Sequence, residues 1–136
     1  MEMISKHISY IEATRSQTAT RLGIENVPSK EVIEAMELVA NKCFEPLREW
    51  YGKPLVVSSF FRCEKLNKKI GGASNSQHVK GEAIDIDCGN KQDNMIIFDW
   101  LKNNVEFDQL INEYDYSWVH VSYSKTKNRK QILIVK

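Results

Sequence analysis

Apolar residues recur at three- and four-residue steps over residues 30–51. Val32, Met36, Val39, Cys43, Leu47 and Trp50 form one stripe, which predicts an amphipathic helix. Ser29 can cap its start, Pro28 stops anything earlier, and Gly52 stands as its C-terminal stop. Pro46 lies inside this span and is expected to kink it or split off its last turn. Shorter helices are predicted over residues 8–15, where Ser9 and Glu12 fit a capping box, and over residues 63–70, closed by Gly71-Gly72. A further helix is predicted over residues 91–103, with Met95, Phe98 and Leu101 on one side. Residues 16–28 are rich in turn formers and are expected to cross the surface as a loop. A short buried strand is predicted over residues 55–58, and others over 82–87, 107–113, 117–123 and 130–135. Helices come early and strands late, the order of an α+β domain with a mostly antiparallel sheet.

Two of these strands carry unexpected polar residues. In Glu82-Ala83-Ile84-Asp85-Ile86-Asp87, alternation sends Ile84 and Ile86 to the core and Ala83, Asp85 and Asp87 to the opposite face. Trp118-Val119-His120-Val121-Ser122 repeats the pattern, with His120 on the non-core face. If the two strands are neighbours, Asp85 and His120 meet. His78 lies seven residues before Asp85 on the feeding loop, and Gly81 lets that loop turn back over the sheet. Two imidazoles and one carboxylate, with a fourth position open, form the ligand set of a catalytic zinc site. Parity alone leaves a second reading open, hydrogen-bonded structural histidines. His7, in a polar stretch, is expected at the surface.

Composition narrows the function classes. The 136 residues are one domain's worth, 1–136, with 42% hydrophobic and 27% charged residues, an ordinary soluble balance. Nineteen basic against eighteen acidic residues give a net charge of +1, without the basic excess of a nucleic-acid binder. No apolar run approaches the ~20 residues of a membrane span, and no secretory signal is visible in MEMISKHISYIEATRS. Cys43, Cys63 and Cys88 lack paired spacing, so reduced thiols and a cytoplasmic site of synthesis are expected. Lys125, Lys127, Arg129, Lys130 and Lys136 make residues 124–136 basic, which suits either contact with an anionic envelope or a solvated hairpin turn into an edge strand.

Ser76-Gln77-His78-Val79-Lys80-Gly81-Glu82-Ala83-Ile84-Asp85 resembles the S-x-H-x-x-G-x-A-x-D signature of the M15 zinc peptidases, and Trp118-Val119-His120 resembles the block that supplies their last zinc ligand. SQTATRLGIENVP, FEPLREWYGKPL and FFRCEKLNKKIGGASNSQH are similar to segments of small phage and prophage proteins of that family, so the likeness covers most of the chain. It implies a hedgehog-like fold with helices packed on one face of the sheet. It implies one Zn2+ per chain, held by His78, Asp85 and His120. Arg62 matches a family arginine expected to stabilise an oxyanion or hold a substrate carboxylate; without that match it reads as a surface arginine capping the next helix. The general base implied is Glu113, by likeness to a branch in which the strand before the last ligand ends in glutamate, with Asp115 as fallback. Where some members carry an acid three residues before the last histidine, this chain has Ser117, and Phe60-Phe61 stands where many have Gly-Tyr. Ser76, Gln77 and Trp118 are expected to line the substrate groove. The implied activity is hydrolysis of the peptide stem of bacterial peptidoglycan by a monomeric phage or prophage lysin, made in the cytoplasm and acting on the wall after release. A non-catalytic zinc-containing recognition module on the same fold is the alternative.

Overall fold

In the computed structural model, which describes residues 1–136, the chain opens with a hairpin, β1 (Met3–Ser5) and β2 (Ile8–Ser9), before α1 (Tyr10–Thr14). The first predicted helix therefore starts two residues late. Ser9 does cap it, accepting from the Glu12 amide at 3.0 Å. Residues 16–28 are not all loop: α2 (Gln17–Leu22) forms there, capped by Ser16 and stopped by Gly23 at φ 67°. Only Ala19 of α2 is buried, so no apolar stripe announces it.

The long stripe becomes α3 (Lys30–Val39), a π-turn over Ala40–Phe44, and α4 (Glu45–Tyr51). Pro46 has no N–H to return to the fourth carbonyl before it, and the chain widens just upstream, where the Glu45 amide bonds Ala40 five residues back. Met36, Val39, Cys43 and Leu47 are fully buried. Trp50 instead lies half-exposed and stacks on Trp100, ring centroids 5.3 Å apart.

Strands β3 (Val56–Ser59), β4 (Ala83–Asp87), β5 (Gln109–Glu113), β6 (Trp118–Ser122) and β7 (Gln131–Val135) form one sheet in the order β3-β4-β6-β5-β7. The first three pairings are antiparallel, and β5–β7 is parallel. Residues 124–130 are consequently not a hairpin turn: β6 already has β4 and β5 on its two sides, so the chain crosses to the free edge of β5. β3 is the opposite edge, which is why Val56 is exposed where a buried strand was expected. Ile84, Ile86, Val119, Val121 and Leu110 project from one face and are wholly buried in a core shared with Met36, Val39, Ile97 and Leu101. Each such side chain contributes roughly 1.5–3 kcal/mol of burial.

The last long helix, α6 (Lys91–Asn104), buries Asn94, Ile97, Phe98 and Leu101, and Met95 faces solvent. The inward turn is shifted because Asn94 is satisfied there. Its Oδ1 accepts from the Cys88 amide at 2.8 Å and its Nδ2 donates to the Tyr116 carbonyl at 2.9 Å, tying the end of β4 to the β5–β6 turn. The short α5 (Glu64–Lys69) follows β3, capped by Cys63. Gly81 has φ +73°, and a Cβ there would lie 2.7 Å from Val32 Cγ1 and 2.8 Å from the Val32 carbonyl oxygen. The loop before β4 thus rests directly on α3. No helix is long and apolar enough to cross a membrane.

Candidate metal centre and groove

The non-core face of the sheet carries one row of side chains across its middle. Ser59, Asp85, His120 and Ile111 are successive register partners on β3, β4, β6 and β5. The pairing that parity left open is thereby made. His120 Nδ1 lies 3.1 Å from Asp85 Oδ1, and His78 Nε2 lies 3.2 Å from Asp85 Oδ2. The two rings meet edge-on with centroids 5.2 Å apart. All three residues are buried, and one ligand atom from each lies within 4.8 Å of the others.

The outer sides of the rings fix what the inner sides offer. His78 Nδ1 is 2.7 Å from the Phe60 carbonyl, which only accepts, so Nδ1 carries the proton and Nε2 turns a lone pair toward Asp85. His120 Nε2 is 3.0 Å from Gln77 Oε1, so its proton sits on Nε2 and Nδ1 is the free acceptor. Two lone pairs and a carboxylate then converge in a buried place with no donor among them, an arrangement that a cation satisfies. Burial opposes the charge on Asp85, and its carboxyl falls below the usual range only where the ring nitrogens present N–H and positive charge to it, the compensation a cation would supply when they present lone pairs. The donor set fits a divalent metal with nitrogen and oxygen preferences.

Glu113, opposite Trp118 in the β5–β6 register, brings Oε2 to 3.7 Å from His120 Nδ1. Burial pushes its carboxyl up, and the nearby Asp85 charge adds to this. Asp115, two residues on, sits in a turn where Tyr114, Asp115 and Tyr116 all have φ between 51° and 60°. Its carboxylate faces solvent and pairs with Lys91 at 2.7 Å, away from the ligand cluster. Arg62 is half-buried. Burial lowers the pKa of its guanidinium, while the carboxylates of Asp85 and Glu113 oppose that loss. Arg62 Nη2 donates to Ser76 Oγ at 3.3 Å, and Nε is buried without a partner. His7 pairs with Glu45 near the N-terminus and takes no part here.

A groove of about 970 Å³ runs over the cluster, with Arg62, Ser76, Glu113 and Trp118 in its walls. A second, of about 590 Å³, continues past β3 and the start of α2, and the two share Arg62, Ile70, Asp85 and Trp118. His78, Asp85 and His120 all line the first lobe, and Asp85 alone of the three also borders the second. Gln77 also borders the first lobe, but both ends of its amide are committed, to His120 and to Asp108 Oδ2 at 2.9 Å. Sequence reasoning missed the Phe60 carbonyl, Asp108 and Arg129. A carbonyl leaves no trace in a sequence. Asp108 gave a faint one, as an acid at the mouth of a strand.

A family model described as Peptidase M15 matches residues 6–122. No curated protein matches the chain.

Proposed function

We infer the function from one premise, that this chain belongs to the peptidase M15 family. It is a zinc peptidase that hydrolyses the peptide stem of bacterial peptidoglycan at a D,D- or L,D-type bond. The observation that carries this reading is the convergence of His78 Nε2, Asp85 and His120 Nδ1 within 4.8 Å, with Glu113 beside them. His78, Asp85 and His120 would hold one zinc ion, which when bound supplies Lewis acidity toward water and toward a carbonyl oxygen.

The chain's own residues do the rest. Glu113 takes a proton from the attacking water on Oε2 and returns it to the leaving amine. Its raised pKa makes the ionised carboxylate a stronger proton acceptor than that of an exposed glutamate. Arg62 presents an always-charged, forked donor to the oxyanion or to a substrate carboxylate. One such donor in a desolvated site contributes about 3 kcal/mol to the transition state. Ser76 steadies the guanidinium and borders the groove. Trp118 gives the stem peptide an apolar wall. The two lobes, which share Arg62, Asp85 and Trp118, favour an extended substrate.

The position of Glu113 favours hydrolysis over a recognition role, since a metal-binding module has no need of a half-buried carboxylate beside its ligands. Digestion of purified peptidoglycan with the zinc-loaded protein, followed by mass analysis of the fragments, tests the reading. New peptide termini that vanish with a chelator are expected. Intact muropeptides at high enzyme concentration would leave the recognition module as the answer.

A further inference from the structure

Behind His120 runs a chain of polar contacts that leaves the groove. His120 Nε2 meets Gln77 Oε1 at 3.0 Å, and Gln77 Nε2 donates to Asp108 Oδ2 at 2.9 Å. Asp108 in turn accepts three hydrogen bonds from Arg129: from the backbone amide at 3.0 Å and Nε at 2.9 Å onto Oδ1, and from Nη2 at 2.8 Å onto Oδ2. Asp108 is 6% exposed and precedes β5; Arg129 lies on the crossing to β7, beyond the residues the family model matches.

We propose that Gln77 is a positioning residue for His120, and that Asp108 and Arg129 set its amide, so that the segment between β6 and β7 helps to build the metal centre. The chemistry runs in one direction. The forked guanidinium keeps Asp108 ionised, and an ionised carboxylate only accepts. The end of Gln77 facing Asp108 must then be its NH2, and the end facing His120 its carbonyl oxygen. A carbonyl oxygen requires a proton on His120 Nε2, which leaves Nδ1 as the lone pair beside Asp85. Reversing the amide would offer His120 an N–H and drive the ring toward the tautomer with its proton on Nδ1, against the metal. Partners of this kind behind a ligating histidine typically change metal affinity by about 10–100-fold.

The inference rests on His120 acting as a metal ligand, the reading given above. The test compares zinc affinity, by competition with a chromophoric chelator, and the electronic spectrum of the cobalt(II)-loaded protein, for wild type, Gln77→Met, Arg129→Ala and Arg129→Lys. Arg129 has a half-exposed side chain, so its truncation leaves the core intact even if Gln77→Met fails to fold. Gln77→Met and Arg129→Ala are expected to weaken zinc binding, by about 10–100-fold for the former, and to alter the cobalt bands. Arg129→Lys is expected to recover part of the loss. A purely structural role for Arg129 would lower the melting temperature of the metal-free protein and leave affinity and spectrum unchanged, which would overturn the proposal. Zinc affinity within twofold of wild type in both truncations would do the same. If wild type itself binds no zinc, the peptidase reading falls first and this inference with it.

Discussion

Asp85 and His120 are direct register partners on antiparallel strands, and the 3.1 Å between Oδ1 and Nδ1 joins a carboxylate from β4 to an imidazole from β6. The pairing makes the candidate metal centre a property of the sheet, with His78 completing the cluster from the adjoining loop. Purified protein is therefore expected to bind about one zinc per chain. His120→Ala should lose stoichiometric binding while keeping the far-ultraviolet circular dichroism of the wild type. Elemental analysis of both proteins after dialysis is the check.

Glu113→Gln should separate binding from hydrolysis. The amide preserves the shape of the side chain and cannot accept the proton. The variant is expected to hold zinc as wild type does and to lose about 10²–10⁴-fold in turnover. Muropeptide release at the wild-type rate would move the proton acceptor elsewhere.

Gly81→Ala tests the seat of the His78 loop on α3. Its backbone sits at φ +73°, and the added methyl would meet Val32 and Met36 at 2.7–2.8 Å. Strain in the left-handed region and overpacking together should cost ~2–4 kcal/mol in chemical denaturation. A loss below ~1 kcal/mol would mean that the loop lifts off the helix at little cost.

Asp108 gives a pH signature. Its hydrogen bonds to Arg129 hold its carboxyl below the ordinary range in the folded protein. A depressed folded pKa adds stability that is fully present above the unfolded value of ~3.9 and is lost as pH falls through the folded one. Asp108→Asn lacks this contribution at every pH. The gap in melting temperature between wild type and variant should be constant above about pH 5 and shrink as pH falls below about 4. A gap that stays level across the acid range would detach Arg129 from Asp108.

Cys43 is fully buried, and burial pushes its thiol up to about 12. Thiolate, not thiol, is the reactive form. Iodoacetamide near neutral pH should leave Cys43 unmodified in native protein and label it after denaturation. Peptide mass mapping reads the difference.

How much of this was legible follows from which residues speak through spacing. The stripe from Val32 to Leu47, the alternation around Asp85 and His120, and the caps at Ser9 and Ser29 are local patterns, and each formed its element. The helix at residues 17–22 buries a single alanine and had no stripe to read. Trp50 and Met95 kept helical spacing but lie on the solvent side, because burial depends on what packs opposite. The parallel β5–β7 pair depends on which strand edge remains free, a property of the assembled sheet. Gln77 was legible as a residue near the groove, but the direction of its amide depends on Asp108 and Arg129, 31 and 52 positions away.

The strict in-and-out alternation of β4 and β6 has a consequence for assembly. A one-residue error in their alignment would turn Asp85 or His120 inward and an isoleucine or valine outward. The same mistake would forfeit apolar burial and separate the three candidate ligands at once. An ion held there, as proposed, would act as a proofreader of strand alignment, rewarding only the arrangement that the hydrophobic side already favours.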